Sequence, residues 1–340
     1  MRSEGQDIIT KMNINKLDKI LKESGQASFR VKQIVKNYYS GRYKKFEEMT
    51  DLPKGLRVKL DEEMRLLAGD EVKILDDGDN QKALLKMEDG EKIETVLMNY
   101  EDWLSACLST QVGCAMGCKF CATGKMGLKR NLTSEEIVDQ VLYWNNKLWP
   151  KYVGRIVFMG MGEPFANWEN VWRAINIIHD ELGIGWRKIS ISTVGLIDKI
   201  YDFIDLKSQI NLAISLHAMS QNIREYLIPV AKNNEINNLK RACWDYTDKT
   251  RRQLFFEYAL IDGVNDDIRE ARKLAEFIKS NHLFFLNIIK LNPIGGELKG
   301  SRMERERDFL TELDRWGVEY SVRKSFGLKI KAGCGQLATE

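Results

Sequence analysis

Trp103-Leu-Ser-Ala-Cys107-Leu-Ser-Thr110-Gln-Val-Gly-Cys114-Ala-Met-Gly-Cys118-Lys-Phe-Cys121 holds four of the chain's six cysteines, three of them in a C-x3-C-x2-C loop. Trp103–Thr110 reads as a strand, and the glycines at 113 and 117 let the loop after it fold tightly. Downstream, short apolar runs alternate with helix-length segments. Further strands are expected at Arg155–Met161, Lys188–Thr193, Gln209–Leu216, Gln253–Leu260 and Phe284–Leu291, six in all. Such alternation is the pattern of βαβ units around a parallel sheet or barrel, so the fold class is α/β. In these folds reactive groups gather just past the C-terminal ends of strands, which is where the cysteine loop falls. The helix Thr133–Trp144 opens on a T-x-x-E capping box, Thr133 with Glu136, and Ser301 with Glu304 predicts the same device before the last helix.

Upstream, residues 1–65 read as helical, with one-sided apolar stripes through Ile14, Leu17, Ile20 and Leu21 and through Phe29, Val31, Ile34 and Val35. Val72–Leu75, Ala83–Met87 and Ile93–Met98, separated by Asp77-Gly78 and Asp89-Gly90, predict a small antiparallel sheet linking this module to the rest. The expected organisation is a helical accessory domain at 1–68, a β-hairpin extension at 69–100 and an α/β core at 101–340. The 340 residues, 44% hydrophobic and 30% charged, suffice for one large domain with an appendage. Residues 1–68 carry 15 Lys and Arg against 10 Asp and Glu, a basic excess compatible with phosphate contacts and also with an ordinary soluble surface. The N-terminus lacks a signal-peptide core, and the most apolar stretch, Leu283–Leu291, is too short to span a bilayer; a cytoplasmic protein with no membrane partner is expected. Unevenly placed cysteines in a reducing compartment point to metal binding or catalysis rather than a disulfide scaffold.

Three thiolates, Cys114, Cys118 and Cys121, match a cubic [4Fe-4S] cluster whose fourth iron has no protein ligand and holds the amino and carboxylate groups of S-adenosylmethionine (SAM). The alternative is a zinc site completed by Cys334 or His217, although zinc cysteines usually come as paired C-x2-C knuckles. Gly160-Met161-Gly162-Glu163-Pro164 follows the second strand; its glycines permit close approach and its carboxylate suits an ammonium partner. In isolation it would be a glycine turn with a solvated Glu.

Gln111-Val-Gly-Cys114, Cys121-Ala-Thr-Gly, Gly127-Leu-Lys-Arg-Asn-Leu-Thr133, Phe158-Met-Gly-Met-Gly-Glu-Pro164, Ser215-Leu-His-Ala218 and Cys334-Gly-Gln-Leu337 occur in this order. With them the chain resembles the RlmN/Cfr family of radical SAM methyltransferases of ribosomal RNA, from about Leu17 to Leu337. The resemblance implies a radical SAM partial (βα)6 TIM-like barrel, cluster ligands Cys114, Cys118 and Cys121, and SAM contacts at Gly162, Glu163, Ser192, Ser215, Leu216, His217 and Asn292. It implies that Cys334 is methylated by one SAM. A 5′-deoxyadenosyl radical from a second SAM then abstracts hydrogen from the methylated thiol, the carbon radical adds to adenine, and Cys107 forms a disulfide with Cys334 to release the base. Glu94 matches the proposed acceptor of the ring proton, and is otherwise a strand carboxylate. The electron-poor amidine carbons of adenine do not attack a sulfonium methyl, which makes the radical route intelligible.

Implied partners are 23S rRNA, tRNA and an electron donor such as a flavodoxin or ferredoxin, with no DNA. The basic N-terminal module would hold the RNA by phosphates and shape, and the adenine must be unstacked to reach the site. The intact Gly-Glu-Pro favours C2 methylation over the C8 methylation of the antibiotic-resistance branch. Two rivals are a different radical SAM reaction with no role for Cys334 and a zinc-containing RNA-binding protein. His217 reads otherwise as a hydrogen-bonded structural residue, Met159 as a methionine near the methylated cysteine or a core residue, and Cys243 as packing. The segment Phe326-Gly-Leu-Lys-Ile-Lys-Ala-Gly-Cys334 lacks the acidic residues common in the family at this place.

Overall fold

A computed structural model describes residues 14–323 and 327–339. Residues 1–13 of the helical reading, and Phe326 of the segment before Cys334, lie outside the described residues. The chain opens with helices α1 (Ile14–Glu23), α2 (Phe29–Tyr39) and α3 (Lys54–Glu63). They bury Leu17, Ile20, Leu21, Ile34, Leu56 and Leu60 around Phe46. Phe29 departs from the expected stripe: it is the first residue of α2 and is 61% exposed. This module rests on the rest of the protein through Tyr38, whose hydroxyl donates to buried Asp139.

Strands β1 (Asp70–Asp76), β2 (Asn80–Lys86) and β3 (Lys92–Asn99) follow as an antiparallel meander. They do not form a separate linking sheet. β3 pairs antiparallel with β4 (Leu104–Cys107), which extends the meander into the main sheet. The chain continues through β5 (Gln111–Gly113), α4 (Ala122–Lys125), β6 (Leu128–Asn131), α5 (Ser134–Leu148), β7 (Arg155–Phe158), α6 (Trp168–Asp180), β8 (Ile189–Thr193), α7 (Ile197–Asp205) and β9 (Asn211–Ser215). It ends with α8 (Gln221–Leu227), α9 (Ile236–Thr250), β10 (Leu254–Leu260), α10 (Ile268–Lys279), β11 (Phe284–Lys290), α11 (Met303–Arg315) and β12 (Tyr320–Arg323). The ten-stranded order is β1-β2-β3-β4-β7-β8-β9-β10-β11-β12, parallel from β4 onward.

The six expected core strands are thus present, joined by a seventh, β12. Sandwiched between sheet neighbours and helices, β10 and β11 read as near-continuous apolar runs, as parallel strands buried on both faces do. Glu257 and Asn287 interrupt them, and the register aligns Ser215, Glu257, Asn287 and Ser321 in one row across β9 to β12. A polar row inside such a sheet needs a reason other than stability. The Thr133–Glu136 capping box forms as expected, and Arg130 adds a bidentate pair to Glu136 at 2.8 Å. The Ser301–Glu304 box does not: Arg302 takes the N-cap without a side-chain bond, because the Ser301 hydroxyl is spent on Asp266 at 2.6 Å. Among the described residues no helix is long and apolar enough to cross a membrane.

Candidate active site

The cysteine loop is clasped by a hairpin that the sequence reading did not include. β5 pairs with β6, Gln111 opposite Asn131 and Val112 opposite Arg130, with a bulge at Gly113. The Cys114 N–H donates to the Gly127 carbonyl at 2.9 Å. At Gly113, with φ +77°, a Cβ would stand 1.8 Å from that same oxygen, so only glycine lets the hairpin close. Within the loop the Cys121 N–H donates to the Cys118 carbonyl at 3.1 Å, and the Lys119 N–H ties the loop to Leu227 at the end of α8.

Cys114, Cys118 and Cys121 line a cavity beside the C-terminal ends of β7, β8 and β9. Burial pushes the Cys114 thiol up to about 12 and Cys118 well above its ordinary value, so these thiols need a metal centre to draw off their protons. Three thiols on one cavity wall, with no fourth cysteine beside them in the loop, suit a cluster that keeps one iron free of protein ligands.

Glu163 is buried at the foot of this cavity. Its carboxylate accepts from the N–H groups of Phe165 at 3.1 Å and Val194 at 2.9 Å, and its own N–H donates to Gln111. Burial raises it to about 7 against those bonds, so a cationic ligand would hold it ionised. Ser192 and Ser215 present hydroxyls 3.3 Å apart from adjacent strands. His217 adopts left-handed φ +54°, its Nδ1 accepts from the Ala259 N–H at 2.9 Å, and its ring meets Phe120 edge-on. Burial lowers its pKa to about 3; the ring is neutral and carries its proton on Nε2. Gly162 and Asn292 also line the cavity. Leu216 does not: it is packed in the core. Glu257 contributes a buried Oε2 with no hydrogen-bond partner, an acceptor left over for a ligand.

A second cavity is lined by Cys107, Tyr100, Asn287, Ser321 and Leu337. Five residues, Met159, Ile289, Asn292, Arg323 and Cys334, face both cavities. The Cys334 segment returns from the C-terminal side to lie on the cysteine loop: Gly335 accepts from the Ala122 N–H at 2.7 Å, Leu337 from the Thr123 hydroxyl at 2.6 Å, and Cys334 from Asn292 Nδ2 at 3.0 Å. Cys334 is exposed as a whole residue, while its thiol sits on the wall of both cavities with protein around it. Surrounding protein raises its pKa, with the Arg323 cation working against the rise. Cys107 is pushed up to about 12 by burial. Glu94 lines neither cavity: it pairs with Lys82 at 2.7 Å and accepts from the Ala338 N–H at 2.9 Å. Cys243 is fully buried in the core, the packing place expected for it.

Sequence reading missed Arg323, Asn287, Glu257 and Lys82. Glu257 and Asn287 left a signal, as polar residues inside apolar strand runs. Arg323 faces both cavities and pairs to Glu257 across strands distant in sequence, at 2.9 Å, a placement that spacing does not show.

Comparison with known proteins agrees with this geometry. Residues 108–275 match the radical SAM superfamily, and residues 9–66 match the ribosomal RNA large subunit methyltransferase N-terminal domain. The chain is 41% identical to a probable dual-specificity RNA methyltransferase RlmN of Chloroflexus aurantiacus, covering 96% of this chain and 91% of the relative. It is 44% identical to the protein of the same name from Heliobacterium modesticaldum, covering 92% and 84%. A crystal structure of a radical SAM methyltransferase from Sphaerobacter thermophilus superposes with a TM-score of 0.87 at 39% identity, covering 96% of this chain and 98% of that one. The cysteine loop, the cavity it lines and the helical N-terminal module are therefore those of a SAM-dependent enzyme acting on RNA, and the chain belongs to the RlmN family of radical SAM RNA methyltransferases, whose superfamily works with a [4Fe-4S] cluster and SAM.

Proposed function

We propose that this enzyme methylates C2 of an adenine in 23S rRNA, and of tRNA, through a methylated Cys334 and with two SAM per turnover. The observation that carries the reading is the position of Cys334 on the wall common to both cavities, with three cysteines on one side and Cys107 on the other. Cys114, Cys118 and Cys121 would hold the cluster, and Gly162, Glu163, Ser192, Ser215, His217 and Asn292 would hold SAM, while Leu216 packs behind them. When bound, these groups supply a transferable methyl and, on reduction, a 5′-deoxyadenosyl radical.

The protein's own part follows from its chemistry. Cys334 must lose its proton to accept a methyl group, and Arg323 eases that loss. Met159 and Asn292 fix the wall on which the thiol rests, while the second cavity takes the extruded adenine, with Tyr100 at its side. Cys107 shares that cavity, as disulfide release of the methylated base requires. Glu94 is assigned the ring proton, a role that calls for the Ala338 contact to open first. The basic module of residues 1–68 is assigned to RNA phosphates, with 69–100 and 101–340 as extension and core. A reducing cytoplasm and a flavodoxin or ferredoxin donor suit a cluster that must be reduced.

The choice of C2 over C8 rests on the Gly-Glu-Pro segment and on relatives carrying the RlmN name. Anaerobic reconstitution with SAM, reductant and a 23S rRNA fragment, followed by nucleoside mass spectrometry, is expected to give 2-methyladenosine. A product that is only 8-methyladenosine overturns the regiochemistry; intact cluster and SAM cleavage without any methylated adenosine overturns the substrate.

A further inference from the structure

We propose that the buried Lys82–Glu94 ion pair is a latch that seats the Cys334 segment, which makes Lys82 and Glu94 positioning residues for that thiol. Leu84 stands opposite Glu94 in the β2–β3 ladder, so Lys82 reaches Glu94 diagonally across the hairpin. Both side chains are nearly sealed from solvent, at 7% and 2% exposure. Burying two charges costs more than most pairs return, so their remaining hydrogen bonds indicate what the pair is for.

Those bonds straddle Cys334. Lys82 Nζ donates to the Lys331 carbonyl at 3.1 Å, three residues before the cysteine. Glu94 Oε2 accepts from the Ala338 N–H at 2.9 Å, four residues after it. The middle of the segment is held from the opposite wall by Ala122, Thr123 and Asn292. Neither Lys82 nor Glu94 lines a cavity, so the pair acts on the thiol only through the strap that carries it. A strap fixed at both ends lets the thiol turn between the two cavities without leaving their common wall. That catalytic consequence rests on the reading of Cys334 as methyl acceptor; the seating itself does not.

The test uses the full chain, reconstituted anaerobically, as wild type, Lys82→Met, Glu94→Gln and Ala338→Pro. The last removes the N–H donor while leaving both charged side chains in place, so it stays informative if the charge variants do not fold. Hydrogen exchange is followed in peptides from 327–339, with β10 and β11 as the control for global folding, and alkylation of Cys334 by iodoacetamide is followed by peptide mass spectrometry. The latch predicts at least tenfold faster alkylation and lost protection in 327–339 for every folded variant, with the control peptides unchanged. Unchanged exchange and alkylation in the folded variants overturns it, as does loosening confined to the β2–β3 hairpin. Labelled SAM separates this from the functional reading. A latch defect lowers methyl occupancy of Cys334 in both Lys82→Met and Glu94→Gln, whereas a pure proton-acceptor role leaves Cys334 fully methylated and stalls only Glu94→Gln. If wild-type Cys334 never takes the label, the functional reading falls while the exchange result still decides the latch.

Discussion

Replacing Gly113 and Gly127 by alanine, one at a time, separates backbone strain from steric exclusion at the cysteine loop. Both glycines have left-handed φ, +77° and +70°, so each substitution carries a similar conformational cost of about 1–2 kcal/mol. A Cβ at Gly127 meets nothing within 4 Å, and the cost stops there. At Gly113 the new carbon falls 1.8 Å from the Gly127 oxygen, more than an ångström inside any normal contact. The strands must part, which breaks the 2.9 Å bond from the Cys114 N–H, worth about 0.5–1.5 kcal/mol, and frees the first cluster ligand. Gly113→Ala should therefore cost upward of about 3 kcal/mol locally and lose most of its bound iron, whereas Gly127→Ala should cost only the backbone strain of about 1–2 kcal/mol and keep its iron. Iron and sulfide content with the visible absorbance of anaerobically reconstituted protein, beside thermal melts, gives the comparison. Equal cluster loading and equal melting of the two variants would refute the clasp.

Three further outcomes follow from the same geometry. Glu163→Gln removes the buried carboxylate proposed to meet the SAM ammonium and should weaken SAM binding to the cluster-loaded enzyme roughly 10- to 100-fold, read by equilibrium binding; an unchanged Kd would remove Glu163 from the SAM site. Tyr100 stacks on Trp103 at 5.3 Å, with the Arg155 guanidinium 4.0 Å from the Trp103 ring centre, so Tyr100→Ala should raise the KM for RNA about 5- to 100-fold while SAM cleavage stays intact and Tyr100→Phe behaves as wild type. Because burial raises the Cys334 thiol, its alkylation rate should climb about tenfold per pH unit from neutrality upward, and Arg323→Leu, which deletes the opposing cation, should move the profile to higher pH; a flat profile would contradict the assignment.

The core strands were legible because parallel strands buried on both faces leave long apolar runs, and Leu254–Leu260 and Phe284–Lys290 match their expected spans closely. Trp103–Thr110 was overrun: regular pairing ends at Cys107, and Ser109 and Thr110 bond instead to Gln140 and Met161. β5 and β6 were invisible because three or four residues carry no periodicity; their pairing is enforced by Gly113 and the closure of the loop. β12 is equally short, and its Arg323 reaches the cavities from the end of a strand that pairs with β11 far from the cysteine loop in sequence. The cysteine positions were readable from spacing alone. What spacing does not reveal is a wall shared by two cavities, which depends on how residues 327–339 fold back across the sheet.

That wall is the centre of the account. Anaerobic enzyme given SAM with an isotopically labelled methyl group, without RNA and then with it, can be followed by peptide and nucleoside mass spectrometry. The label should appear first on Cys334 and then leave it for the adenine. Labelled adenine formed while Cys334 never carries the label, or formed undiminished by Cys334→Ala, would contradict the account.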